Sequence, residues 1–483
     1  MPENKDKSAK KKAKNLEEKL LLKKVTSWEK ADKKKREMIL SFAEDYKKFL
    51  DAAKTEREAV NEIVRFAKKN GFVPIEEIYD KKAIPGTRIY AVNHAKSVAL
   101  AVIGKKPLSE GISFIGSHID SPRIDLKGNP LYEDTDSKLA VFKTHYYGGI
   151  RKYQWVNVPL AIHGKVILSN GKDIDIVIGE NDNEPVLVIP DLLPHLARNL
   201  AEKRKSSETI KGEELNVIVG SIPVKDEKVK TRVKLAVLQH LNQKYGIVEE
   251  DFSSAEIELV PAQKARDVGL DSSMLGAYGQ DDRVCAYTSL RALVDIDIPN
   301  RTSVALFFDK EEIGSEGNTG AKSRFLENFV GDLLASYDIN YHDSSLRKVF
   351  AKSEAISADV NAAVDPTFKE VHEMLNASKF GYGITITKYT GSGGKSSSND
   401  AHAEFVGKIR HLLNKNKIIW QTAGLGKVDE GGGGTIAKFL AEYGMNVIDA
   451  GTALISMHSP FEIASKADIY ETYLAYQAFF RDA

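Results

Sequence analysis

The spacing of apolar residues changes character several times along the chain. Val60, Ile63, Val64 and Ala67 recur at intervals of three and four, one stripe of a helix. The stretch 28–70 around them predicts two helices, broken near Asp51 and stopped by a turn at Gly71. Strand-like runs rich in β-branched residues follow at 88–93, 98–104 and 112–117. From 128 to 260 short strands are predicted at 160–168, 174–178, 186–189, 216–219 and 256–260. One helix at 234–244 and a charged loop at 203–214 separate them. After Asp267 the pattern alternates again, with helices at 284–294, 321–335, 401–414, 435–443 and 468–480. Apolar strands at 303–308, 383–388, 418–422 and 446–449 lie between them.

Helices alternating with short buried strands predict an α/β fold, a mixed and largely parallel sheet sandwiched by helices. The different character of 128–260 marks an inserted β-rich domain. The chain thus divides into an extension at 1–27, an α/β domain formed by 28–127 and 261–483, and the insertion at 128–260. In such sheets ligands bind beyond the carboxyl ends of the strands. The chemically interesting motifs stand at those places.

Composition narrows the class. In 483 residues, 42% are hydrophobic and 28% charged, as in a soluble globular protein. Cys285 is the single cysteine, which rules out an intramolecular disulfide framework and a cysteine-rich zinc site. No apolar run reaches spanning length and no signal-type core opens the chain, so a cytoplasmic protein without a membrane partner is expected. Lysines cluster between Lys10 and Arg36, interspersed with Glu17, Glu18, Glu29 and Asp32. That mixture reads as a solvated helix and not a nucleic-acid arm, because no stacking aromatics accompany it.

Five polar motifs carry the candidate chemistry. His118 and Asp120 follow a strand and share one face of extended backbone, so the carboxylate can hold the second imidazole nitrogen of a metal ligand. Asp309-Lys310-Glu311-Glu312 ends another strand; one glutamate suits a metal and the other a proton taken from water. Asp281-Asp282 opens a helix with more acid than a cap needs, and a carboxylate can span two cations. Ser357-Ala358-Asp359 and Met457-His458-Ser459 each close an apolar stretch. Two histidines with several carboxylates and no cysteine suit a pair of divalent cations, which in turn suits amide hydrolysis. Two glycine clusters are set apart. Gly391–Ser396 fails as a phosphate loop because Tyr389 stands where the first glycine is needed. Gly431-Gly432-Gly433-Gly434 precedes a helix, either as a turn or as a backbone site for an anion or substrate.

These motifs, His118-Ile119-Asp120-Ser121-Pro122-Arg123, Asp281, Asp309 to Ser315, Ser357-Ala358-Asp359 and Met457-His458-Ser459, occur in the order found in one family. From about Trp28 onward the chain resembles the aspartyl aminopeptidase / vacuolar aminopeptidase I family of dinuclear metallopeptidases, in its bacterial branch. The resemblance implies a zinc-exopeptidase-like catalytic domain interrupted by a β-rich dimerisation domain, and dimers assembled into a tetrahedral dodecamer. It implies His118, Asp281, Glu312, Asp359 and His458 as metal ligands, Asp281 as the bridge, Glu311 as general base and Asp120 orienting His118. Lys388 matches a lysine near the substrate pocket, where a cation would favour an acidic first residue or stabilise an oxyanion. Animal members carry a further histidine where Asp191 stands; His195 is the candidate left to reach a neighbouring subunit's site.

The expected activity is removal of the N-terminal residue from peptides by a water that two divalent metal ions activate, with Glu311 as base. Zinc is the expected metal, with cobalt or manganese as alternatives. An acidic first residue is a candidate preference. A related deacylase or carboxypeptidase, and a non-catalytic metal-binding oligomeric scaffold, are the competing readings.

Overall fold

The computed structural model describes residues 16–482, apart from 18, 23, 80–82, 202 and 338–340. Most of the Lys-rich extension, residues 1–15 with 18 and 23, lies outside the described residues. A nine-stranded sheet runs in the spatial order Val73–Pro74, Arg88–Asn93, Ser97–Val102, Ser303–Phe308, Ser113–His118, Glu354–Ser357, Asn446–Gly451, Ile384–Thr387 and Trp420–Thr422. At its centre Ser113–His118 runs parallel to both Ser303–Phe308 and Glu354–Ser357, and the latter parallel to Asn446–Gly451. Antiparallel joints at Ser97–Val102 and at Ile384–Thr387 make the sheet mixed.

The central strands are buried along their whole length, which is why they read as continuous apolar runs and not as alternating ones. Val98, Leu100 and Val102 enter one core while Ala99 and Ala101 enter the other, the period of two expected of a strand. Helices Lys33–Ala52, Glu56–Lys69, Gln280–Val294, Ala403–Lys415 and Lys466–Asp482 cover the first face. Phe325–Tyr337, Asp343–Lys352 and Ala437–Glu442 cover the second. The break expected near Asp51 falls at Ala53 to Thr55, where Thr55 and Glu58 cap each other's backbone reciprocally. Among the described residues no helix is long and apolar enough to cross a membrane.

Six antiparallel strands form a second sheet, in the order Asp173–Ile178, Leu160–Ile167, Glu256–Pro261, Arg123–Asp134, Leu139–Tyr147 and Val217–Gly220. It has its own core around Phe142, Trp155 and Leu259. The hairpin of Arg123–Asp134 with Leu139–Tyr147 escapes the sequence pattern because Lys127-Gly128-Asn129-Pro130 interrupts the alternation. The chain accommodates that stretch as an irregularity in register between Leu126 and Leu131. The strand expected at 186–189 is reduced to isolated bridges from Leu187 and Val188. A third, five-stranded sheet joins Met274–Ala277, Glu462–Ser465 and Ala453–Ile455 beside the first, and it carries the two polar segments nearest the C-terminus.

Candidate metal centre

Parallel strands end on the same edge, and that edge gathers the motifs. His118 is the last residue of its strand, Asp309 follows its parallel neighbour, and Asp359 lies two residues beyond Glu354–Ser357. Asp281 and Asp282 occupy the first turn of Gln280–Val294 with non-helical backbone angles, so the carboxylates are not committed to the helix. His458 follows Ala453–Ile455 from the third sheet. After Asp309, a left-handed Lys310 and Gly314 at φ 97° close a tight turn that presents Glu311 and Glu312 together.

Asp281 is the hub. Its Oδ1 is 3.2 Å from His118 Nε2 and its Oδ2 is 3.1 Å from His458 Nε2, one carboxylate oxygen for each imidazole. Asp359 Oδ1 stands 4.0 Å from His118 Nε2, and Glu312 Oε1 3.3 Å from His458 Nε2. Two donor sets result, His118–Asp281–Asp359 and His458–Asp281–Glu312, sharing Asp281. His118, Asp281 and Glu312 have ligand atoms within 4.8 Å of one another, and so do His118, Asp282 and Asp359.

The imidazoles are aimed by their other nitrogens. His458 Nδ1 is 2.8 Å from the carbonyl of Gly149, and His118 Nδ1 is 3.0 Å from the carbonyl of Asp120 and 3.3 Å from its Oδ1. Asp120 does more than orient His118. Its carboxylate accepts the backbone N–H groups of Glu311 at 3.1 Å and Glu312 at 3.2 Å, and the Tyr147 hydroxyl at 2.8 Å. Glu462 plays the matching part on the other side, accepting the N–H groups of Asp281 at 3.1 Å and His458 at 2.7 Å.

Burial and charge compete here. Burial dominates for Glu311, whose carboxyl is pushed up to about 7, and for Glu462, pushed up to about 8. Burial likewise raises Glu312 and Asp359. It works against protonating the histidines, yet the Asp281 carboxylate draws His458 up to about 11, and Asp120 with Asp281 raise His118. The same two imidazoles hold Asp281 below the usual carboxylate range despite its burial. Paired imidazoles pulled toward positive charge by one buried carboxylate mark a place built for cations. Asp281 Oδ1 and Glu312 Oε1 are buried without a hydrogen-bond partner, a cost that ligation would remove. Nitrogen and oxygen donors without sulfur fit zinc, manganese or cobalt.

The centre lines a cavity of about 420 Å³, together with Gly432, Gly433, Gly434 and Lys438. All five sequence-derived ligand candidates and Glu311 line that cavity, with Asp120 directly behind it. Lys388 does not. It is exposed after Ile384–Thr387 and lines an adjoining chamber of about 660 Å³, joined to the first through Thr390, Leu425 and Gly432. His195 is exposed on the helix Pro194–Ala201 and lines no part of this cavity. Tyr147, Gly149, Glu462 and Lys438 were not singled out by sequence. Glu462 alone had a signal, its place just after His458.

A mixed α/β sheet carrying nitrogen and oxygen donors around one shared carboxylate defines a metallohydrolase. Residues 49–480 match the family described as aminopeptidase I zinc metalloprotease (M18), and the chain belongs to that family: it is a metalloaminopeptidase. A probable M18 family aminopeptidase 1 of Borreliella burgdorferi is 51% identical over 463 residues, 95% of this chain and all of that one. The crystal structure of the M18 aminopeptidase from Thermotoga maritima matches with a TM-score of 0.91 at 50% identity, covering 96% of this chain and 100% of that one. Aminopeptidase I from Clostridium acetobutylicum matches at 0.89 and 46% identity, with coverage of 96% and 100%. A yeast mApe1 dodecamer shares the fold at 22% identity and a TM-score of 0.72, over 91% of this chain and 96% of that one.

Proposed function

We propose that this protein removes N-terminal residues from peptides with two divalent cations held by His118, Asp281, Glu312, Asp359 and His458. One observation carries the reading: each oxygen of the Asp281 carboxylate faces a different histidine, 3.2 and 3.1 Å away. When bound, such a pair acidifies water and polarises a carbonyl. Glu311 takes a proton from the attacking water at its carboxylate and delivers it to the nitrogen of the leaving amine. Burial of its carboxyl raises its pKa, which strengthens it as a proton acceptor. Asp120 and Glu462 hold the ligands and the glutamate turn in place through the hydrogen bonds above.

The metal cavity is partly enclosed, and the adjoining chamber with Lys388 leaves room for the rest of a peptide. Lys438 in the cavity and Lys388 in the adjoining chamber favour an acidic first residue. The six-stranded inserted domain is the module through which copies of the chain pair, and His195 on its exposed helix serves a neighbouring copy's site. Assembly to a dodecamer is the expected end state, by analogy with the yeast protein of the same fold. The single buried cysteine suits a reducing, cytoplasmic setting.

The test is Glu311→Gln. Metal content should be retained while kcat falls by about 10²–10⁴, the usual worth of a general base. A variant that hydrolyses alanyl-p-nitroanilide at the wild-type rate removes Glu311 from this role. Activity on N-acetylated peptides would instead favour a deacylase.

A further inference from the structure

Arg123 follows Asp120-Ser121-Pro122 and opens the strand Arg123–Asp134. Its side chain is buried where the helix Glu56–Lys69 meets the six-stranded sheet. Nε lies 2.8 Å from Asp125 Oδ1 and 3.2 Å from Glu258 Oε2, and Nη1 lies 3.5 Å from Glu56 Oε2. Asp125 and Glu258 are partners across the sheet's ladder, while Glu56 opens the helix. Lys96 Nζ pairs with the other oxygen of Glu56 at 3.0 Å. Taking such a cluster out of water is costly, and apolar side chains of similar volume serve stability as well. Where the guanidinium sits therefore matters more than how many carboxylates surround it.

Its carbon stands 3.9 Å from the centre of the Tyr147 ring, a cation on an aromatic face. Arg123 and Tyr147 are paired directly across the hairpin, so the register of the two strands sets this contact. The Tyr147 hydroxyl donates to Asp120 Oδ2 at 2.8 Å, and the same oxygen receives the N–H of Glu312. The backbone between Asp120 and Arg123 is held as well, because the Tyr278 hydroxyl donates to the Pro122 carbonyl at 3.0 Å. A tyrosine ring free to turn about its side-chain torsions would carry its hydroxyl away from Asp120. A planar guanidinium held by carboxylates is a rigid plate for that ring, which the compact ammonium of a lysine cannot be.

We infer that Arg123 is a positioning residue: held by Glu56, Asp125 and Glu258, it fixes the Tyr147 ring so that the hydroxyl braces Asp120 and, through it, the turn that presents Glu311 and Glu312. None of these Arg123 contacts reaches a candidate metal ligand, so its action passes through Tyr147. For its effect on zinc the inference rests on the metal-site reading above. Metal affinity then depends on the join between helix and inserted sheet as well as on the ligands themselves.

Two substitutions separate the links. Arg123→Lys keeps the charge and removes the plate, while Tyr147→Phe keeps the ring and removes the hydroxyl. Chelator competition on the full-length protein measures zinc affinity. Hydrogen exchange of the metal-free protein follows the peptide containing Glu311 and Glu312, whose N–H groups Asp120 accepts. Arg123→Lys should weaken zinc binding about 3- to 30-fold and Tyr147→Phe about 10- to 100-fold. Each should speed exchange in that peptide and leave the strand Ser97–Val102 unchanged. The double variant should lose no more than Tyr147→Phe alone. Wild-type affinity and exchange in Arg123→Lys overturn the inference, and so do losses that multiply in the double variant. Exchange that quickens equally in Ser97–Val102 is the mark of a merely structural role and overturns it too. Should Arg123→Lys not fold, Arg123→Met with Glu56→Gln removes one buried charge of each sign and is judged on the same outcomes. Wild-type protein that binds no zinc overturns the metal reading instead, and exchange in the metal-free protein then decides the role of Arg123.

Discussion

Replacing Asp120 by Asn tests how far the centre depends on a residue placed behind its ligands. Four donors converge on the two oxygens of Asp120. Oδ1 receives the N–H of Glu311 and faces His118 Nδ1, while Oδ2 receives the N–H of Glu312 and the Tyr147 hydroxyl. Asparagine keeps the shape but turns one oxygen into an NH2 donor. Whichever way the amide is flipped, that donor meets the backbone N–H of Glu311 or that of Glu312. A buried donor left without an acceptor costs about 1–3 kcal/mol, equivalent to roughly 5- to 150-fold in an equilibrium constant at 1.4 kcal/mol per tenfold. The loss falls on the turn that presents Glu311 and Glu312, and the lost negative charge also weakens the orientation of His118. Metal affinity should therefore fall about 10- to 100-fold, the range found when outer partners of metal ligands are removed. Chelator competition measures it, with kcat determined at saturating metal. The global fold should survive, because Asp120 contacts the site and not the two apolar cores. Wild-type metal affinity and wild-type kcat in a folded Asp120→Asn variant would refute the claim that Asp120 holds the glutamate turn.

Two further perturbations probe the scaffold. His163 sits between Glu58 of the helix Glu56–Lys69 and Glu180 at 2.7 and 3.1 Å; burial opposes its protonation, but the two carboxylates raise its pKa above the usual 6.5. The folded state then binds a proton more tightly than the unfolded one, so the stabilisation is complete below pH 6.5 and is lost as pH rises through the elevated value. Urea unfolding across pH 5.5–8.5 should show that decline in the wild type and a flatter profile in His163→Gln, and parallel profiles would disprove it. Gly451 has no room for a side chain, because a Cβ would lie 2.1 Å from the carbonyl oxygen of Asp359 and 2.9 Å from Cys285 Sγ. Gly451→Ala should cost about 1–3 kcal/mol or more of stability and weaken metal binding by displacing Asp359. An unaltered melting temperature and metal affinity would show that the strand yields.

What was legible in the sequence follows from where the information lies. Most ligand candidates stand at the end of an apolar run, although Asp281 opens a helix, and the sheet's parallel centre makes strand ends neighbours; His118 and Asp309 follow predicted strands and could be placed on one edge, whereas Glu354–Ser357, the strand before Asp359, is too short to stand out from its apolar stretch. The order of the strands could not, because Ser303–Phe308 inserts beside Ser113–His118 across nearly two hundred residues of intervening chain. The unexpected hairpin Arg123–Tyr147 has a functional consequence. It brings Tyr147 to Asp120 and is followed by Gly149, whose carbonyl meets His458, so the inserted sheet is tied to the metal centre at two points. Local polarity hid that connection: Lys127-Gly128-Asn129-Pro130 reads as a loop.

Lys388 and Lys438 illustrate the opposite limit. Both follow or precede glycine-rich segments at element ends, and nothing in their local pattern separates an outer lysine from an inner one. Only the pairing of Gly391-Ser392 with Gly432-Gly433 decides it, because that short ladder holds the four-glycine segment against the wall of the cavity. It leaves Lys388 on the outer chamber and Lys438 beside the carboxylates. Glycine 432, at φ 114° and with Gly391 O only 2.0 Å from where a Cβ would stand, cannot be replaced without opening that ladder. The glycine run therefore sets, through geometry, which of the two lysines shares a compartment with the candidate metal centre.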